Sequence, residues 1–282
     1  MSLKPLFKPF KLSLIQMKCS ADKASNLLKA KELVLRAAQN NARVIVLPEI
    51  FNSPYSVQYF REYSEPIPGG ESIKQLSEMA KLANAWLIGG SIPEIDQKTN
   101  KIYNTSAVFN PKGELINTHR KVHLFDIDVP GKIRFQESEV LSPGDNITTF
   151  DTEFGKLGLG ICYDIRFPEL TKIAVDQGCV AMIFPGAFNL TTGPLHWELL
   201  ARARAVDNQV YVAVCSPARN LEASYHAWGH STVVDPWGEV VATTEHDEDI
   251  IYHELNPEKL ESVRESIPIK LQKREDIYSK YK

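Results

Sequence analysis

Cys162 follows the apolar run Gly158-Leu159-Gly160-Ile161 and is itself followed by the polar stretch Tyr163-Asp164-Ile165-Arg166. A thiol in that setting is a candidate nucleophile for covalent catalysis. The local pattern says how it would be presented. Lys156 to Ile161 is short and glycine-punctuated, which predicts a buried strand. Pro168 suits the first turn of a helix through Leu170, Ile173, Ala174 and Val175, with Gly178 as its stop. Strand, elbow and helix put Cys162 at the carboxyl end of a strand, where open α/β sheets present their chemistry. A free cysteine is also a common small core hydrophobe, and both readings stand on these residues alone.

Glu49 has the same kind of address. Val44 to Leu47 reads as a buried strand ending in Pro48-Glu49, and a carboxylate there belongs either to a solvated strand end or to a charged site, because burying it without a partner is costly. Lys121 lies in His119-Arg120-Lys121-Val122-His123, directly after a predicted hairpin. His119 with His123, and His226 with His230, have the spacing of helical metal ligands, but neither pair carries the nearby glutamate of H-E-x-x-H or a cysteine cluster, which disfavours a metal. Gly158-Leu159-Gly160 lacks the third glycine of a phosphate-binding loop, so nucleotide binding has no support.

The elements that must position these residues alternate in type. Lys11 to Met17, Val44 to Leu47, Trp86 to Gly90, Val180 to Phe184, Val210 to Val214 and Thr232 to Val234 read as strands. Lys23 to Asn40, Ser72 to Asn84 and Leu195 to Val206 carry apolar helical stripes. Tyr103 to Phe109 and Glu114 to Thr118 form a hairpin around Pro111-Lys112-Gly113, and Glu239 to Ala242 closes another after the turn Asp235-Pro236-Trp237-Gly238. Mixed strand direction follows. Leu124 to Gly144 shows little periodicity, yet Phe125, Ile127, Val129, Ile133 and Phe135 are too apolar for disorder, so an ordered loop beside a site is expected. Arg202 and Arg204 read as a solvated or ion-paired helix face. The whole chain, 1–282, is expected to be one α/β domain, with a core at about 11–255 and a charged arm at 256–282 lying over a neighbour.

Composition narrows the class. The chain has 282 residues, 43% hydrophobic, with a formal net charge of −3, so it can bury an ordinary core and has no basic surplus for nucleic acid. The four cysteines show no C-x-x-C spacing, which points to a reducing compartment rather than a disulfide scaffold. No run is long enough to span a membrane, and the first residues lack the apolar segment of a secretory signal. A cytoplasmic protein is expected. The basic, acid-free start, with Lys4, Lys8, Lys11 and Lys18, faintly resembles a transit peptide and leaves a mitochondrial fraction open.

Leu47-Pro48-Glu49, His119-Arg120-Lys121-Val122-His123 and Gly160-Ile161-Cys162-Tyr163-Asp164 occur in that order. Together they resemble the three signatures of the nitrilase, or carbon–nitrogen hydrolase, superfamily. Phe125 to Gly131, Ala187 to Pro194, Ala205 to Tyr211 and Trp228 to Val234 extend the resemblance to its ω-amidase branch over nearly the whole chain. The resemblance implies a four-layer α-β-β-α sandwich with mixed sheets, paired through outer helices into a homodimer or larger homo-oligomer. It also implies a catalytic triad of Glu49, Lys121 and Cys162 that works with neither metal nor organic cofactor. The substrate implied is a small dicarboxylate monoamide, 2-oxoglutaramate or 2-oxosuccinamate; deaminated glutathione, another small amide or a nitrile is the alternative within the superfamily, and a non-catalytic interaction protein the alternative outside it.

In that scheme Glu49 is the base, Lys121 the cation, and the Tyr163 N–H joins Lys121 in holding the oxyanion. Glu137 corresponds to a second glutamate that positions substrate or lysine; a surface charge is its other reading. Arg166 suits a substrate carboxylate, since guanidinium matches it in a two-pronged geometry, with an ion pair to Asp164 or Glu169 as the other possibility. Phe188 and Thr192 are implied to line the pocket, against core filling for the first and loop rigidity for the second.

Overall fold

The computed structural model describes residues 6–131 and 133–281; Lys4 of the basic amino-terminal stretch lies outside them. The strands are β1 (Phe10–Gln16), β2 (Val44–Val46), β3 (Trp86–Ile88), β4 (Ile92–Asp96), β5 (Lys101–Phe109), β6 (Leu115–Arg120), β7 (Asp126–Val129), β8 (Ile133–Gln136), β9 (Thr148–Asp151), β10 (Lys156–Leu159), β11 (Ala181–Pro185), β12 (Tyr211–Cys215), β13 (Thr232–Val234), β14 (Val240–Thr243) and β15 (Asp249–Leu255). The helices are α1 (Lys23–Gln39), α2 (Val57–Phe60), α3 (Glu71–Ala83), α4 (Pro168–Asp176), α5 (Gly193–Asn208), α6 (Pro257–Ser266), α7 (Ile269–Gln272) and α8 (Glu275–Tyr278).

Two large sheets form. One is seven-stranded in the order β15-β1-β2-β3-β5-β4, with β6 on β5; the other is six-stranded in the order β14-β13-β12-β11-β10-β9. β1, β2 and β3 are parallel, as are β10, β11 and β12, and antiparallel strands extend both sheets. Alternation along each strand builds the layers, since successive side chains point to opposite faces. Leu12, Leu14, Val44, Val46 and Ile88 meet Leu157, Leu159, Ile183 and Ala213 between the sheets. Ile15, Ile45, Leu47 and Leu87 face α1 and α3 on one outside. Met182, Phe184, Val212 and Val214 face α4 and α5 on the other. These contacts make the expected four-layer α-β-β-α sandwich.

Some elements differ from expectation. β4, β9 and β15 are strands that the sequence reading did not place. Leu124 to Gly144 is not a continuous loop: β7 and β8 pair as an antiparallel hairpin, because Ile127 and Val129 alternate with aspartates and oppose Phe135 and Ile133 around Pro130-Gly131. Beyond β15, α6 buries Leu260 and Val263, whereas α7 and α8 bury no residue. Among the described residues no helix is long and apolar enough to cross a membrane.

Ile183 lies between the sheets, 1% exposed, on the strand that runs into the site. Ile183→Ala should lower the unfolding free energy by roughly 2–5 kcal/mol, the usual cost of such a cavity, as read from urea denaturation.

Candidate active site

Four chain segments converge at the carboxyl ends of β2 and β10. Glu49 follows β2, Lys121 follows β6, Glu137 follows the β7–β8 hairpin, and Cys162 follows β10. The Lys121 ammonium lies 3.0 Å from Glu49 Oε1 and 3.0 Å from Glu137 Oε1. The side chains of all three are inaccessible to solvent. Glu137 is therefore a buried partner of Lys121 and not a surface charge. The Cys162 thiol lies close enough to the Glu49 carboxylate and to the Ala187 N–H for both to act on its proton affinity.

Two carboxylates around one ammonium leave one excess negative charge out of water, and ionisation follows from that. Burial raises the Glu49 pKa, Lys121 opposes the rise and Glu137 adds to it. Burial also disfavours the Lys121 ammonium, but Glu137 and Glu49 outweigh it and keep the group charged. Burial and then the Glu49 carboxylate push the Cys162 thiol well above its ordinary range. The resting sulfur therefore keeps its proton beside a carboxylate placed to accept it.

Further donors fix the base. Ala187 N–H donates to Glu49 Oε2 at 2.7 Å and Asn104 Nδ2 to Oε1 at 2.9 Å. The Tyr55 hydroxyl donates to Glu137 Oε1 at 2.8 Å and lies 3.4 Å from Glu49 Oε1, while the Phe125 N–H holds Glu137 Oε2 at 2.7 Å. Beside the catalytic groups the backbone enters the left-handed region at Ile50, φ 51° next to the base, and at Cys162 itself, φ 47°. For side chains with a Cβ such geometry costs on the order of 1–3 kcal/mol and marks functional turns. The Ser91 hydroxyl holds the Ile50 N–H at 3.0 Å. At Gly186 an added Cβ would stand 3.1 Å from Cys162 Cα, so glycine lets the end of β11 approach the elbow.

Cys162 opens a 3-10 turn (Cys162–Arg166), whose leading N–H groups, that of Tyr163 included, have no partner within the turn. Asp164 anchors it. Its carboxylate accepts the Ile161 N–H at 2.9 Å and the His123 N–H at 2.9 Å, and lies 3.0 Å from His119 Nε2 and 2.8 Å from His123 Nδ1. The His119 and His123 spacing thus serves one carboxylate, not a helical metal pair, and locks the segment bearing Lys121 to the turn bearing Cys162. Burial works against the Asp164 charge, but the hydrogen bonds from His119 and His123 prevail and hold its carboxyl below the ordinary range.

Arg166 does not pair with Asp164 or Glu169. Its guanidinium lies 4.9 Å from the Phe188 ring centroid and 5.4 Å from that of Tyr163, with one nitrogen 3.2 Å from His196 Nδ1. Its Nε is buried without a partner. Burial lowers its pKa while Cys162, close enough to act on it, opposes that shift. Phe188 fills core against Trp197, with centroids 5.1 Å apart, as well as backing Arg166. Thr192 caps α5, its N–H donating to Asn189 Oδ1 at 2.9 Å. Arg204 is neither solvated nor simply ion-paired: it is 6% exposed and its Nε donates to the Ile165 carbonyl at 2.9 Å, bracing the turn from α5. Tyr55, Asn104 and Ala187 escaped the sequence reading; Tyr55 alone carried a signal, as a polar aromatic six residues beyond Glu49.

Asp164→Asn should destabilise the protein by about 3 kcal/mol or more at neutral pH, because it breaks a buried charged network. The contribution of a carboxylate with a depressed native pKa is complete above its unfolded pKa and disappears as pH falls through the native one. The difference between wild type and variant in denaturant melts should therefore be constant above about pH 4 and shrink below it.

Residues 11–265 match the model of the carbon–nitrogen hydrolase family. The omega-amidase NIT2 of Mus musculus is 58% identical over 270 residues, covering 96% of this chain and 97% of that protein. A hydrolase of Schizosaccharomyces pombe is 58% identical over 274 residues, covering 97% of this chain and 84% of that protein. The crystal structure of Saccharomyces cerevisiae Nit3, a nitrilase-superfamily member, superposes with a TM-score of 0.90 at 51% identity, covering 97% of this chain and 99% of that one. With a signature match across most of its length and the buried carboxylate–ammonium–thiol cluster at the sheet ends, the chain belongs to the carbon–nitrogen hydrolase family.

Proposed function

We propose that the protein is an ω-amidase, hydrolysing the side-chain amide of a short 2-oxo dicarboxylic acid monoamide such as 2-oxoglutaramate or 2-oxosuccinamate. The observation that carries the reading is Arg166, a guanidinium beside Cys162 that forms no salt bridge with any described carboxylate. It suits the carboxylate of a substrate whose amide carbon reaches the sulfur. The name of the mouse relative, 58% identical over almost the whole chain, points the same way.

The chemistry follows from the geometry. Glu49 takes the Cys162 proton as the sulfur attacks the amide carbon, and the carbonyl oxygen becomes an oxyanion held by the Lys121 ammonium and the Tyr163 N–H. Removing one such donor typically costs about 10²–10³ in rate. Glu49 then gives its proton to the nitrogen, the C–N bond breaks and ammonia leaves a thioester. Water attacks that thioester while Glu49 takes a water proton; the C–S bond breaks and the proton returns to sulfur. Glu137 and Tyr55 hold Lys121 and Glu49 in place, and Phe188 and Thr192 shape the side on which Arg166 lies. All steps use protein side chains and water, with no metal or cofactor. A homodimer is the assembly we infer, because Ile173 on α4 and Leu195, Leu199 and Val206 on α5 leave apolar side chains exposed. A cytoplasmic, reducing location suits four free thiols.

Ammonia release from 2-oxoglutaramate, measured beside glutamine, deaminated glutathione and a simple nitrile, tests the reading. Release should be fastest from 2-oxoglutaramate and fall to background in Cys162→Ala; preference for deaminated glutathione would move the substrate assignment to the alternative. Arg166→Met should raise KM about 10–100-fold, the equivalent of losing a charge-assisted hydrogen bond of roughly 1.5–3 kcal/mol, while thioester formation at saturation changes little.

Glu49 must be ionised to accept the thiol proton, and burial raises its pKa. The acid limb of kcat/KM should therefore lie above the ordinary glutamate value of about 4.3. A limb at or below that value would rule out Glu49 as the titrating base.

A further inference from the structure

A cavity of about 450 Å³ reaches Glu49 from the side of Ile50, Tyr55 and the loop around Tyr225. Cys162, Lys121, Arg166, Phe188 and Thr192 do not line it. Tyr55 and Tyr225 do, with ring centroids 4.6 Å apart. Both also touch the reacting side: the Tyr55 hydroxyl bridges Glu137 and Glu49, and the Tyr225 hydroxyl donates to the Ala187 carbonyl. The two rings stand where the cavity meets Glu49, whose side chain is otherwise closed to solvent.

The walls of the cavity select by charge. Ser53, Asn220 and Ser224 offer polar groups, Glu49 and Glu222 are its carboxylates, and no lysine, arginine or histidine is among the described residues that line it. A carboxylate-bearing substrate is repelled from such a surface, whereas water and ammonia, or ammonium, are accepted. Its volume holds on the order of ten waters at about 30 Å³ each.

We propose that this cavity is a second passage to Glu49, carrying ammonia out and hydrolytic water in while the acyl group occupies the Cys162 and Arg166 side. The inference rests on the amidase reading, since it supplies the two small molecules that the reaction must exchange across a buried base. It makes Tyr225 and Tyr55 the partition that keeps substrate on one side and water on the other.

The passage can be narrowed without touching the reacting groups. Ala223→Trp fills its wall and Ser224→Trp its exposed mouth, so that at least one variant should fold. Thioester formation and decay are followed by rapid quench and mass spectrometry with 2-oxoglutaramate. Access along the substrate route is read separately as the second-order rate of Cys162 alkylation by iodoacetate, an electrophile that itself carries a carboxylate. The expected result is thioester decay slowed about five-fold or more, so that the acyl-enzyme accumulates, with formation and alkylation within about two-fold of wild type. Alkylation and thioester formation slowed in parallel would show the cavity to be the substrate's own approach and overturn the proposal, as would unchanged decay in both folded variants. If wild type reacts with iodoacetate but releases ammonia from no amide, the amidase reading itself fails and this inference falls with it.

Discussion

One buried ammonium governs the site. Lys121 is taken wholly out of water, which is tolerable only because Glu49 and Glu137 each stand 3.0 Å from its nitrogen. Those two carboxylates over-compensate it by one charge, and the imbalance has chemical consequences. A third anion, at sulfur, would have to form beside them, so the thiol stays neutral until an acceptor carbon removes the need for a free thiolate. The base is shifted toward protonation by the same field. Thiol and carboxylate are thus both shifted toward protonation, so the proton leaves sulfur for Glu49 only as the sulfur bonds to carbon.

The fold exists, in this light, to bring distant segments to one nitrogen. β2 delivers Glu49 from one sheet and β10 delivers Cys162 from the other, and the inter-sheet layer of Leu12, Val46, Leu159 and Ile183 sets their separation. Lys121 comes from β6 of the first sheet, but Asp164 of the second clasps both histidines that flank it. Ala187 closes the arrangement, its N–H bonding to Glu49 and reaching toward the sulfur. Packing between sheets positions the groups coarsely. Hydrogen bonds across the seam then restrict them to angstroms, while the Ser91 hydroxyl holds the left-handed backbone at Ile50.

Much of this was legible in the sequence, and the limits have physical causes. Strand alternation and helical stripes carried the layers, because period is a local property of the chain. Cys162 and Glu49 stood out as polar groups closing apolar strands, and Lys121 joined them only through the three family signatures taken together. The roles of His119, His123 and Asp164 were hidden because their spacing is that of a metal pair on a helix, while the backbone there is a strand running into a loop, 45 residues from the carboxylate at its farther contact. Glu137 read equally well as surface charge, since nothing in Gln136-Glu137-Ser138-Glu139 says which glutamate turns inward. Arg204 was hidden by its alanine-rich helix, where burial depends on the turn packed against it. In each case the missing information was a long-range contact, and a single sequence encodes no pair distance.

The distribution of charge around the base also orients what the site can process. Arg166, with His196 beside it, is the cationic side, while Glu222 and Glu49 are the acidic residues of the cavity that Tyr55 and Tyr225 line. An ω-amide of a 2-oxo acid has the matching polarity, a carboxylate at one end and a departing nitrogen at the other. In the proposed reading, an anionic end on Arg166 would place the scissile bond at Cys162 and point the leaving group toward the acidic wall. The reverse orientation would bring a carboxylate against two others in a medium of low dielectric, where repulsion is strong. On that proposal, a preference for the amide remote from the carboxylate would be set by the field of the site as much as by the shape of its walls.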